Sequence, residues 1–171
     1  MQQEHYVVSD VVEREQARAF RLTFGVNLQK MPQGAGVTGD YLVTQTSAAT
    51  EQLESALGYP LEGRLIEFKD DKASLVTNHV YVEYEQTNDF WWSKNPSGHD
   101  LAIARGCVLV ISSEPTCFVF NQTAFTELKN GTTKERTTKY RKHGNNPGQY
   151  TRGRIVPLSV ARETATFIYD M

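Results

Sequence analysis

The stretch RLIEFKDD, residues 64–71, decides how the rest of the sequence is interpreted. Its first six residues, 64–69, are β-branched, aromatic and alternating, which predicts a half-buried strand. Residues two apart in a strand share a face, so Glu67 and Lys69 emerge side by side while Ile66 and Phe68 face the opposite side. A carboxylate and an ammonium on such a strand are costly unless they pair or bind something.

Two interpretations of Glu67 and Lys69 are open at this point. The first is an ion pair on a solvated face, which is common in sheets. The second is a metal site, because Asp40 begins an earlier strand 27 residues upstream. Glu54 is a weaker candidate for that acidic position, since it lies in a predicted helix.

The strand predicted at residues 79–85, HVYVEYE, adds two more carboxylates. Its alternation places Glu83 and Glu85 on one face, and only a short loop separates it from residues 64–69. We therefore expect the two strands to pair as antiparallel neighbours, with Glu83 or Glu85 near Glu67. Several carboxylates and one lysine on a sheet face predict a site for Mg²⁺ or Mn²⁺.

The remaining elements alternate between helices and strands along the chain. The predicted helices are Asp10 to about Met31, 47–58, 97–106 and 122–131, and the further strands are 39–46, 107–113, 117–121 and 152–159. The runs CVLVISS and CFVFN are nearly all apolar, as expected for strands buried on both faces. This order predicts an α/β (α+β) fold with a central mixed β-sheet flanked by helices, in a single domain spanning residues 1–171.

Composition excludes several classes of protein. The chain has 171 residues, 39% of them apolar, and a net charge of −2, so it is neither a polycation nor a disordered acidic tail. No apolar stretch approaches 18 residues and the first residues lack a signal-peptide pattern, so we expect a cytoplasmic protein with no membrane partner. The two cysteines, Cys107 and Cys117, lie in apolar runs and predict neither disulfides nor structural zinc.

The charges are divided along the chain. Residues 40–100 hold 11 of the 20 acids, whereas residues 129–154 hold eight bases and one acid. This division suits a metal site beside a phosphate-binding surface, although a patchy solvated surface would give the same pattern. The loop at about 129–154 is polar and expected to be mobile, and its candidate nucleic-acid-binding residues are Lys134, Arg136, Lys139, Arg141, Lys142, Arg152 and Arg154.

These motifs together resemble the PD-(D/E)xK nuclease superfamily, and more narrowly its small phage-type endonuclease-like members. The resemblance is carried by Asp40 on an early predicted strand and by Glu67-Phe68-Lys69 on a following one. It covers roughly residues 40–158. Further matching positions are Asp71, Thr77, Asn78, Glu83, Ser97, Gly98 and the late strand Gly153-Arg154-Ile155-Val156-Pro157. Gly39 stands where the superfamily pattern has proline.

The resemblance implies a restriction-endonuclease-like core and a Mg²⁺-dependent endodeoxyribonuclease. Asp40, Glu67 and the Phe68 carbonyl would hold Mg²⁺, with Mn²⁺ as a substitute, and a metal-activated water would hydrolyse the phosphodiester. Lys69 would orient that water or help to deprotonate it. The resemblance also suggests that Asp71, Asn78 and Glu83 are additional ligands or support the ligands.

Other functions fit the same residues. DNA is favoured over RNA as the nucleic-acid partner, and the protein could act alone, as a homodimer or in a larger complex, in the host cytoplasm if it is phage-encoded. The first alternative function is a catalytically silent nuclease-fold protein that binds nucleic acid or a host protein. The second is an unrelated α/β binding module whose acidic residues are a solvated face.

Overall fold

A mixed sheet flanked by helices organises the chain, in a computed structural model that describes residues 2–32, 39–71, 74–88, 93–96, 98–131, 134–137 and 149–171. The helices are α1 (Gln2–Phe24), α2 (Glu51–Leu57, after a 3₁₀ turn at Ala48–Thr50), α3 (Ser74–Thr77), α4 (Gly98–Ala104), α5 (Gln122–Asn130) and α6 (Leu158–Thr164). The strands are β1 (Asn27–Lys30), β2 (Tyr41–Gln45), β3 (Leu65–Asp70), β4 (His79–Asn88), β5 (Ser93–Pro96), β6 (Val108–Ser113), β7 (Thr116–Phe120), β8 (Lys134–Thr137), β9 (Gln149–Pro157) and β10 (Phe167–Asp170).

The described strands form two sheets. The six-stranded central sheet has the order β1-β2-β3-β6-β7-β10, and the second sheet has the order β5-β4-β9-β8. In the central sheet β3 and β6 are parallel, and the other neighbouring pairs are antiparallel. The predicted mixed α/β architecture with a mixed central sheet flanked by helices is therefore confirmed.

The expected pairing of strands 64–69 and 79–85 is wrong. Strand β3 is paired with β2 on one side and with β6 on the other, so neither of its edges is open to β4. Strand β4 pairs instead with β5 and β9 in the second sheet. The short connection misled the prediction because α3 lies in it and redirects the chain away from β3.

The first helix also differs from its prediction. It begins at Gln2 and ends at Phe24, and the residues that follow form β1 instead of continuing the helix to Met31. Gly25 ends the helix with a φ of 61°, and a Cβ at this position would collide with the Ser47 hydroxyl. None of the helices in the described residues has the length and apolar composition needed to cross a membrane.

Aromatic packing holds α1 against one face of the central sheet. Phe20 is fully buried, and its ring contacts those of Phe24, Phe68 and Tyr169 at centroid separations of 4.8, 5.9 and 6.2 Å. Tilted and edge-to-face rings of this kind add to the stabilisation from burial. The helix is therefore fixed directly behind Phe68, the residue between Glu67 and Lys69.

The other face of the central sheet packs against the second sheet and the later helices. Strand β6 shows the two-sided burial, because Val108 and Val110 join the α1 core while Leu109 and Ile111 join the opposite core. The expectation that the CVLVISS run is buried on both faces is thus confirmed. Glu67 pairs in register with Leu109, so its charged side chain lies at the margin of this second core.

We predict that Phe20→Ala lowers the free energy of unfolding by about 3–5 kcal/mol, because it leaves a cavity beside the three aromatic rings of Phe24, Phe68 and Tyr169. The matched control is Leu22→Ala on the same helix, where the side chain is 74% exposed and little change is expected. Urea denaturation followed by circular dichroism measures both variants. Equal effects of the two changes would contradict the packing described for α1.

Candidate active site

Asp40, immediately before β2, lies beside Glu67 on the neighbouring strand β3. The register pairs Tyr41 with Ile66, so the residue before Tyr41 comes opposite Glu67. The Asp40 amide donates to the Ile66 carbonyl at 2.8 Å, and the Phe68 amide donates to the Asp40 carboxylate at 2.7 Å. Backbone hydrogen bonds therefore fix this carboxylate beside Glu67.

The surroundings of Asp40 disfavour its charged form. Burial raises the pKa of Asp40 from 3.8 to about 7, and the negative charge of Glu67 is the next largest cause. The hydrogen bond from Phe68 and the charge of Lys69 act in the opposite direction without cancelling the rise. A cation bound between the two carboxylates would remove their repulsion and favour ionised Asp40.

Lys69 forms an ion pair with Glu67 along the same strand. Its Nζ lies 3.4 Å from Glu67 Oε1, and the side chains of Lys69 and Glu67 are 32% and 16% exposed. The partner is thus two residues away on the same face of β3, rather than across the sheet. The geometry leaves the ammonium accessible from solvent and directly beside the carboxylate.

Helix α1 contributes two polar residues that sequence reasoning missed. Gln16 is 3% exposed, and its Nε2 donates to the Lys69 carbonyl at 3.2 Å and to the Ser112 hydroxyl at 3.0 Å. The charge of Glu13 adds to the rise in the pKa of Asp40, so Glu13 also lies near the site. The sequence does mark both residues, because Gln16 and Glu13 precede Phe20 by four and seven residues, which is helical spacing.

Glu83 contacts α4, and its strand β4 is not paired with β3. The Glu83 amide donates to His99 Nδ1 at 3.1 Å, and a Cβ on Gly98, which has a φ of 57°, would collide with the Glu83 carboxylate. His99 is buried, and this burial, with the charge of Lys69, lowers its pKa to about 3. A neutral histidine near Lys69 was missed, although it directly follows the Ser-Gly motif.

Asp71 and Asn78 anchor the backbone between β3 and β4. The Asp71 carboxylate accepts from the Ser74 amide at 3.2 Å and from the Tyr81 amide at 2.9 Å. Asn78 has a φ of 57° and an exposed side chain, and its carbonyl accepts from the Leu158 amide at 2.8 Å. Neither residue has a described side-chain contact with Glu67 or Lys69. The hydrogen bonds given above therefore show both residues stabilising the backbone between β3 and β4.

Glu54, the weaker alternative to Asp40, has a structural contact of its own. Its carboxylate accepts from the Leu61 amide at 2.7 Å and holds the loop that follows α2. No described contact joins it to Glu67 or Lys69. Asp40 is thus the acidic residue that the structure brings beside Glu67.

The basic residues of the 129–154 region are only partly described. Arg154 donates to the Lys129 carbonyl at 3.2 Å and lies 5.8 Å from the centroid of the Tyr84 ring. Arg152 pairs in register with Glu85. The backbones of Lys134 and Arg136 belong to β8, while Lys139, Arg141 and Lys142 lie outside the described residues. Arg154 therefore packs against α5 and Tyr84.

The donor set at this site consists of hard oxygen ligands. Within the described part of the chain, no group of three or more His, Cys, Asp and Glu side chains forms a metal cluster. Two carboxylates nevertheless fit Mg²⁺, which keeps several waters and uses few protein ligands. Burial, with the charges of Glu67 and Asp40, raises the pKa of Cys107 to about 11, so a neutral thiol lies near them.

Comparison with known proteins adds no relative. No family model, curated protein or solved structure matches this chain. The chemistry available to the site is that of its own residues, which are two adjacent carboxylates, an accessible ammonium and a buried neutral histidine.

The raised pKa of Asp40 predicts the direction of a pH effect. Without metal, the folded state holds a proton on Asp40 up to about pH 7, whereas the unfolded chain releases it near 3.8. The stability that this group contributes is therefore fully present below about pH 4 and is lost as the pH rises through 7. Asp40→Asn does not titrate, so its stability does not decrease in this way, and its amide oxygen can still accept the hydrogen bond from the Phe68 amide.

Urea unfolding of wild type and Asp40→Asn in EDTA between pH 4 and 8 measures the effect. We expect Asp40→Asn to gain stability relative to wild type as the pH rises. A constant difference between the two proteins across this range would contradict the environment described for Asp40.

Proposed function

We propose that this chain is a Mg²⁺-dependent nuclease of the PD-(D/E)xK type that hydrolyses phosphodiester bonds in DNA. The observation that carries the proposal is the placement of Asp40 opposite Glu67, with the Lys69 ammonium 3.4 Å from the Glu67 carboxylate. Within one mixed sheet, this arrangement unites the acidic and basic residues that the sequence resemblance assigns to catalysis. It also supports the restriction-endonuclease-like form of the central sheet.

The carboxylates of Asp40 and Glu67, with the Phe68 carbonyl, would hold the cation. A bound Mg²⁺ would neutralise the phosphate, lower the pKa of a coordinated water and support the leaving oxygen. The site fits such an ion because burial and then the negative charge of Glu67 raise the pKa of Asp40, and a cation bound between the two acids would offset both effects. Mn²⁺ has the same preference for oxygen ligands and would substitute for it.

Lys69 supplies the positive charge that the reaction needs beside the carboxylates. Its ammonium orients the attacking water and offsets negative charge that develops on the phosphate oxygens. His99 cannot take this role, because burial keeps its ring neutral. It accepts a hydrogen bond from the Glu83 amide and so holds β4 and α4 on the side of Lys69.

DNA is the proposed substrate, with backbone contacts and no reading of sequence. Helix-turn-helix and zinc-finger motifs are absent from the sequence, so phosphate contacts would position the strand. The silent-fold alternative predicts binding without hydrolysis. A site that has lost its activity has little reason to keep Glu67 and Lys69 paired beside the half-buried Asp40, which favours the enzyme.

Lys69→Met tests the catalytic role of the lysine. We expect it to slow Mg²⁺-dependent nicking of supercoiled plasmid by about 10²–10⁴-fold while metal and DNA affinity are retained. Lys129→Met is the matched control, because Lys129 is 31% exposed and forms an ion pair with Asp100 at 2.8 Å. We expect this control to cleave at nearly the wild-type rate.

Glu67→Gln distinguishes the loss of a metal ligand from the loss of the Lys69 ammonium. Deleting a metal ligand should abolish both Mn²⁺ binding in titration calorimetry and cleavage. Wild-type protein that binds DNA, takes up no Mn²⁺ and cuts nothing would support the catalytically silent alternative. Equal losses in Lys69→Met and Lys129→Met would show that Lys69 serves only as a structural ion-pair partner.

A further inference from the structure

Three arginines share one exposed flank of α1. Arg14, Arg18 and Arg21 are all exposed, and their spacing places them within a sector of about 60° around the helix axis. We call this set the arginine flank. From Arg14 to Arg21 the helix advances about 10 Å, which matches the rise of about three nucleotides along one DNA strand.

The arginines of this flank take part in no ion pair with a side chain that the structure describes. Arg14, Arg18 and Arg21 are absent from both ion pairs given above, Lys69 with Glu67 and Lys129 with Asp100. Residues three or four apart on a helix are neighbours, so these arginines repel one another. Such a surface is costly in isolation and suits a ligand that carries regularly spaced negative charge.

The helix that carries the arginine flank packs on the central sheet, and the strand that follows it along the chain, β1, runs beside Asp40. Exposed Lys30 on β1 pairs in register with Tyr41, and the amide of the next residue, Met31, donates to the Asp40 carbonyl at 3.0 Å. Tyr41 also belongs to the core beneath α1, where its ring contacts that of Phe68 at a centroid separation of 5.8 Å. Helix α1, which carries the arginine flank, and β1, which carries Lys30, therefore both pack next to the residue that follows Asp40.

We infer that the arginine flank and Lys30 bind the phosphate backbone of the DNA strand and lead it to Asp40 and Glu67. Guanidinium groups bind phosphate oxygens in a bidentate geometry, and such contacts position a strand without reading its sequence. This surface is distinct from the basic 129–154 region. The inference rests on the proposed function for its choice of DNA.

Salt-dependent binding tests the inference without cleavage. The probe is a fluorescein-labelled 30-base-pair duplex, titrated in EDTA at several KCl concentrations and followed by anisotropy. Each phosphate contact contributes about 0.9 to the slope of log affinity against log salt, so the triple change Arg14→Gln, Arg18→Gln and Arg21→Gln should reduce the slope by about 2–3. Arg14→Gln alone should reduce it by about 1.

The controls are Arg162→Gln, a similarly exposed arginine on α6, and Leu22→Gln on α1. Both should leave the slope unchanged, and circular dichroism should show that every variant remains folded. An unchanged slope in the triple variant overturns the inference. So does a triple variant whose oligomeric mass changes in light scattering while its DNA slope does not, because the flank would then be an interface between copies.

Binding and catalysis fail separately in this design. A wild-type protein that binds DNA through the arginine flank and cuts nothing in Mg²⁺ would remove the proposed nuclease activity and leave the inference intact. A protein that cuts plasmid DNA with an unchanged slope in the triple variant would keep the activity and remove the inference.

Discussion

The hydrogen bond from the Phe68 amide to the Asp40 carboxylate is the contact on which the site depends. It fixes the half-buried Asp40, immediately before β2, directly beside Glu67 on β3, and so sets two carboxyl groups close together. The opposite side of Phe68 is packed against the aromatic core under α1. One residue thus connects the packing of the first helix to the geometry of the two carboxylates.

The crossover between β3 and β6 brings the rest of the site into position. Parallel strands require a long connection, and this one contains β4, β5 and α4. Because α4 packs between the second sheet and β6, His99 can accept from the Glu83 amide within electrostatic range of Lys69. The parallel pair in the middle of the sheet is therefore what gathers α4, β4 and β3 at one place.

The local sequence pattern was enough to predict several helices and strands. It failed where residues far away in the sequence determine the end of a helix or the partner of a strand. The alternation of residues 64–69, the Ser47 start and Gly58 end of the α2 region and the apolar run of β6 all act within a few residues, and each was predicted. The end of α1 depends on Gly25 packing against Ser47, more than 20 residues away. The pairing of β4 likewise depends on β9, about 70 residues later.

The candidate site divides in the same way. Strand alternation was sufficient to place Glu67 beside Lys69. Asp40 was predicted as the acid that begins an earlier strand, and the resemblance implied its role as a metal ligand. Gln16, Glu13 and His99 reach the site from helices whose docking is set by tertiary packing, so local spacing alone does not place them beside Glu67 and Lys69. Asp71 matched the family pattern, yet its carboxylate holds the backbone amides of Ser74 and Tyr81.

The central claim is that Asp40 and Glu67 share one divalent cation. A crystal of the protein soaked in Mn²⁺ and measured at the manganese absorption edge tests it most directly. The account predicts an anomalous peak within coordination distance of one oxygen from each carboxylate. A peak held by other residues, or no peak between Asp40 and Glu67 at millimolar Mn²⁺, would contradict it.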